Sequence, residues 1–135
     1  LAIDFGLKRT GIAVTDPLKI IASGLTTVAT PEALAFLQKY CAEETVECFI
    51  VGLPMHMDGN PAQIAPQADD FAGQLRKIFP AIPVIRQDER NTSNDAKRVI
   101  QASRVTKQKR RDQSLVDKVA AALILEQYMQ ENIWK

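Results

Sequence analysis

The segment from Glu47 to Leu53 (ECFIVGL) limits the fold more than any other stretch of the chain. It is a continuous apolar run of strand length, without the polar alternation of a strand that has one wet face. A strand apolar on both sides must be covered on both sides, which is typical of parallel pairing. Helical segments flank it. Ahead of the run, Thr30-Pro31-Glu32 reads as a helix start: a capping hydroxyl, proline at the first helical position, and an acid near the positive helix end. Ala33 to Glu43 continues that helix, with Leu34, Leu37 and Cys41 at helical spacing. After the run comes a loop, Pro54 to Pro61 (PMHMDGNP), then a helix over roughly Ala62 to Phe79. Ala68, Phe71, Ala72, Leu75 and Phe79 hold its period, and Pro66 must sit near its start or kink it.

The other segments complete the order. Leu1 to Phe5 (LAIDF) reads as a short strand, Gly6 to Thr10 as a turn, and Gly11 to Thr15 (GIAVT) as a second strand stopped by Asp16-Pro17. So short a link predicts an antiparallel hairpin. Leu25 to Ala29 reads as a third strand, and Pro83 to Arg86 as another that ends at Gln87-Asp88-Glu89-Arg90. Helices are expected over Asn94 to Ala102 and, after a basic loop reaching Arg111, from about Ser114 to Gln130. The order β-β-β-α-β-α-β-α-α places the chain in the α/β class, with a mixed five-stranded sheet flanked by helices. At 135 residues and 46% hydrophobic, residues 1–135 fit a single domain with a real core. No apolar run approaches the roughly 18 residues of a membrane span, and no signal peptide is visible. Leu1 already lies in an apparent strand, so a short natural N-terminus is expected to precede it. Cys41 and Cys48 match no zinc spacing. They are read as free thiols of a cytoplasmic protein.

Three acids sit where acids are costly or oddly placed. Asp4 interrupts an apolar strand, where a carboxylate forms a strand poorly and is expensive to desolvate. A metal or a paired cation would offset that cost. Asp88 and Glu89 follow the last short strand, at the carboxyl-end position where open α/β sheets build their sites. Adjacent strand residues point to opposite faces, so only one of the two can aim at Asp4. Asp117 heads a stripe with Ala120, Ala121, Ile124 and Tyr128, on the core-facing side of the last helix. The small residues Ala120 to Ala122 would let that helix lie close to the sheet. Asp112 is a nearby acid that could take the same role. Carboxylates suit Mg²⁺ or Mn²⁺. Two such ions about 3.5–4 Å apart can clamp the attacking and leaving oxygens of a phosphodiester.

Net charge is only +1, but its distribution is uneven. Lys97, Arg98, Arg104, Lys107, Lys109, Arg110 and Arg111 form a block without an acid, which would attract a polyanion and make binding salt-sensitive. The single histidine, His56, lies in a loop, and no Ser-His-Asp or Cys-His pair competes for the chemistry.

Four motifs in order carry a family resemblance. Ala2 to Val14 (AIDFGLKRTGIAV) resembles the opening of the YqgF family, also called RuvX, described first as Holliday junction resolvases and now as pre-16S rRNA nucleases. Val51 to Gly59 (VGLPMHMDG), Asp88 to Ser93 (DERNTS) and Val116 to Glu126 (VDKVAAALILE) resemble its later motifs. The resemblance implies a ribonuclease H-like fold related to the RuvC resolvases. It also implies a cytoplasmic bacterial nuclease maturing the 5′ end of 16S rRNA, with the small ribosomal subunit precursor as a partner. Its acidic triad falls on Asp4, Glu89 and Asp117, which selects Glu89 over Asp88. Lys8, Arg9 and Arg90 match basic motif positions that would face phosphate, beside Lys107, Lys109, Arg110 and Arg111. Asn91 departs from the bulky residue expected after Asp-Glu-Arg.

Three other readings are compatible with the sequence: a resolvase acting on branched DNA, an ATPase of the actin and sugar-kinase type, and a nucleic-acid-binding module whose acids are structural. The second rests on the likeness of Asp4 to Gly11 to a phosphate loop. It would need two such domains, and this length has room for one. The oligomeric state is not legible.

Overall fold

A computed structural model describes residues 1–53, 65–88 and 113–133. Five strands form one sheet: β1 (Ala2–Asp4), β2 (Arg9–Thr15), β3 (Ala22–Ala29), β4 (Phe49–Leu53) and β5 (Val84–Asp88), in the spatial order β3-β2-β1-β4-β5. The first three form the expected antiparallel meander, while β1, β4 and β5 run parallel. The ECFIVGL run therefore lies between two parallel neighbours, as its two apolar faces require. The described helices are α1 (Ala33–Glu43), α2 (Ala65–Ile78) and α3 (Gln113–Asn132). The helix expected over Asn94 to Ala102 lies outside the described residues.

Alternation along the strands splits the core in two. Ile3, Ile12, Phe49 and Val51 pack against Ala33 and Leu37 of α1 and Phe71 and Leu75 of α2. Their neighbours Ala2, Ala13 and Ile50 point the other way, onto Ala121, Ile124, Leu125 and Met129 of α3. Aromatic side chains fill the first layer: Phe49 and Phe79 lie with ring centres 5.1 Å apart, and Phe5 and Phe71 5.2 Å apart. The second layer is thinner, because the sheet and α3 both supply alanines at the contact.

Three local expectations are corrected. The second strand begins at Arg9 rather than Gly11, because Arg9 and Thr10 already pair with Ala29 and Val28 of β3. Thr30 does not cap a helix; the chain enters α1 through a 3-10 turn over Thr30–Glu32 without a side-chain cap. The Thr30 hydroxyl instead donates to the Gly6 carbonyl at 2.5 Å and lies 2.9 Å from the Thr10 hydroxyl. With its one hydrogen committed to Gly6, Thr30 accepts from Thr10, which satisfies a fully buried polar group. These bonds tie the β1–β2 turn to the end of β3. The third strand also starts earlier than expected, at Ala22, and its pairing with β2 shifts register between Ile12 and Ala13. Such a bulge bends an edge strand and discourages further pairing.

Both cysteines are free thiols, as expected. No described helix is long and apolar enough to cross a membrane.

Candidate active site

Because β1, β4 and β5 are parallel, their carboxyl ends lie along one edge of the sheet, where open α/β sheets place their chemistry. Asp4 is the last residue of β1. It is two positions beyond Ala2, whose side chain packs under α3, so Asp4 shares that face. It is half-buried there. Directly opposite it on β2 stands Gly11.

Asp117 reaches the same place from above. The α3 stripe read from the sequence is confirmed: Ala120, Ala121 and Ile124 are buried, and Tyr128 packs on the core. Asp117, one turn ahead of Ala121, lies over Gly11. A Cβ built on Gly11 would overlap the Asp117 carbonyl oxygen, and would be 2.6 Å from its carbonyl carbon and 3.3 Å from its Cβ. Gly11 thus stands beside Asp4 on the sheet and directly under the Asp117 backbone. Sequence reasoning overlooked Gly11, although a glycine inside a strand often marks a close backbone approach.

Arg9, at the start of β2, donates from Nε to Asp117 Oδ2 at 3.1 Å. The Asp117 side chain is only 15% exposed against 43% for Arg9, so the acid is held inward and the guanidinium reaches it from the rim. Arg9 was expected to face phosphate; its observed partner is a candidate metal ligand. Lys8, beside it, is exposed, and its carbonyl accepts the Thr30 amide at 3.0 Å.

Strand β5 presents residues to both layers. Ile85 packs on the α3 face, and Gln87 donates to Glu131 of α3 at 3.3 Å. Val84 packs on the opposite layer, and Arg86 pairs with Asp69 of α2. Glu89, Arg90, His56, Asp112, Lys107, Lys109, Arg110 and Arg111 lie outside the described residues, as does the Asp88 side chain. Among the described residues, no three His, Cys, Asp or Glu come together as metal ligands. Asp4 and Asp117, placed beside and above Gly11, are hard oxygen donors on adjoining elements, of a type that fits Mg²⁺ or Mn²⁺ and would need a further ligand.

Comparison with known proteins agrees with this architecture. The RuvX family, described as Holliday junction resolvase, matches residues 1–131. A protein of Porphyromonas gingivalis is 50% identical over 129 residues, covering 96% of this chain and 94% of its own length. One of Christiangramia forsetii is 47% identical over 131 residues, 97% of each chain. One of Flavobacterium johnsoniae is 43% identical over 129 residues, 96% of this chain and 94% of its own. Each of the three is named, provisionally, a pre-16S rRNA nuclease. The mixed sheet with helices on both faces is the ribonuclease H-like arrangement, and the chain belongs to the RuvX family.

Proposed function

We propose that this protein is a metal-dependent nuclease that hydrolyses phosphodiester bonds in nucleic acid, with precursor 16S rRNA as substrate, in the cytoplasm. The observation that carries the reading is the position of Asp4 at the carboxyl edge of the parallel strands, beside Gly11, with Asp117 packed over that glycine. The names of the relatives supply the substrate class.

Asp4, on the rigid end of a central strand, is the acid best placed to hold a cation between strand and helix. Asp117 closes the site from α3. A third acid belongs on the same face. In the described part of β5 it is the odd-numbered residues, Ile85 and Gln87, that face α3. The family resemblance gives Glu89 as the third ligand, with Asp88 the alternative. When bound, Mg²⁺ or Mn²⁺ would activate the attacking water and stabilise the leaving oxygen. Arg9, bonded to Asp117 and exposed at the rim, would be available to a phosphate of the substrate. The basic block Lys97 to Arg111 would grip the backbone on either side.

Replacing Asp4 by Asn keeps shape and removes charge. We expect Asp4→Asn to fold normally and to lose Mg²⁺-dependent cleavage of precursor rRNA by at least about a hundredfold; full residual activity refutes the mechanism. A second reading, cleavage of branched DNA, is favoured by the description of the family itself. Side-by-side cleavage of precursor rRNA and a four-way DNA junction separates the two, since only RNA offers a 2′-hydroxyl.

A further inference from the structure

We propose that Gly11, and to a lesser degree Gly24, are positioning residues: their missing side chains set how closely α3 approaches the sheet, and so how far Asp117 stands from Asp4. The proposal rests on reading Asp117 as a metal-binding acid.

Glycine inside a strand is costly, since it has no side chain to pack and more backbone freedom to lose. A special backbone angle would justify it, but neither Gly11 nor Gly24 has a left-handed φ. What both lack is room. At Gly11 a Cβ would overlap the Asp117 carbonyl oxygen. At Gly24, on the neighbouring strand, it would lie 3.0 Å from the Lys118 carbonyl oxygen and 3.1 Å from the Lys118 Cβ. Two consecutive helix residues thus rest on two glycines of adjacent strands. Gly73 on α2 shows the contrast: a Cβ there would meet no atom within 4 Å.

The tightest fit falls on the site residue itself. Relieving the contact at Gly11 would need α3 to rise by about 1 Å to reach ordinary carbon–carbon separation. Catalytic constellations tolerate about 0.5 Å, and a displacement near 1 Å costs on the order of a hundredfold in rate. At Gly24 a few tenths of an ångström suffice. The geometry therefore predicts a graded series: Gly73→Ala neutral, Gly24→Ala mild, Gly11→Ala severe.

The test is Mn²⁺ binding to the protein without nucleic acid, followed by calorimetry, with cleavage and thermal melting measured alongside. We expect Gly11→Ala to fold, to bind Mn²⁺ at least about tenfold more weakly and to cleave about a hundredfold more slowly, with KM for RNA close to wild type. Lengthening the acid should compensate, since one methylene adds about 1.5 Å of reach. The Gly11→Ala, Asp117→Glu double variant should recover Mn²⁺ binding without recovering melting temperature, which a purely structural glycine would not produce. Wild-type Mn²⁺ affinity in folded Gly11→Ala, or a loss that Asp117→Glu does not recover, overturns the proposal. If Gly11→Ala does not fold, Gly24→Ala decides: a few-fold loss recovered by Asp117→Glu supports it, and unchanged affinity overturns it. Asp117→Asn separates the two levels of the argument. If it binds Mn²⁺ like wild type, the metal reading of Asp117 fails and the positioning role with it. If it loses Mn²⁺ while folded Gly11→Ala does not, only the positioning role fails.

Discussion

Asp16 organises the turn between β2 and β3 by accepting the amides of Ile20 and Ile21 at 2.7 and 2.8 Å. The turn is tight enough to hold Lys19 at φ 58°. The bond from Ile21 foremost holds the Asp16 carboxyl below its ordinary value of 3.8. A carboxylate whose folded value is depressed stabilises the protein fully above its unfolded value, and the effect is lost as pH falls through the folded one. Asp16→Ala should therefore melt below wild type at neutral pH, with the difference closing as pH falls through and below the ordinary carboxylate range; a difference that stays constant on acidification would mean the charge is not what matters. At this scale the sequence was legible where chemistry conflicts with context. Asp4 in an apolar strand and Asp117 on a core-facing stripe both announced themselves. Arg9 did not, because its partner is 108 positions away and nothing local marks the bond. Gly11 stayed silent for a different reason: its importance is the space it leaves, which becomes visible only once β2 and α3 are brought together.

The helix α3 shows what whole elements reveal. Its stripe was readable because 3.6-residue spacing survives any register error of one or two positions. Its closeness to the sheet was readable from the alanines, and Ala120 and Ala121 are indeed almost completely buried. A larger side chain at that contact has no space to enter. Ala121→Leu should lower unfolding free energy by about 1–3 kcal/mol, measured by urea denaturation with an unchanged m value; a neutral result would mean that α3 can shift without cost. Strand ends were less legible. Ser23 and Gly24 are exposed and carry no apolar alternation, so the start of β3 was invisible. Thr30 looked like a cap by composition, yet its hydroxyl serves the Gly6 carbonyl and Thr10, partners remote in sequence.

For the whole molecule, the order of apolar segments was enough to predict a mixed sheet with helices on both sides. The run ECFIVGL placed the parallel part, and the short link between the first two strands placed the antiparallel hairpin. Charge is the other property of this scale. If Lys107, Lys109, Arg110 and Arg111 hold a single-stranded backbone, each contact contributes about 0.7 to the dependence of log K on log salt. Replacing all four by Ala should make that slope less negative by about 3, read from RNA-binding titrations over a range of salt. An unchanged slope would place the nucleic acid elsewhere.

The bond from Arg9 to Asp117 has a consequence in time. During synthesis Asp4, Arg9 and Gly11 emerge well before Asp117, which arrives only with α3. Until then the face bearing Ala2, Ala13 and Ile50 is also bare. On the proposed reading, a product interrupted before α3 would lack Asp117 and leave that apolar face uncovered, so it should be both inactive and exposed to proteolysis.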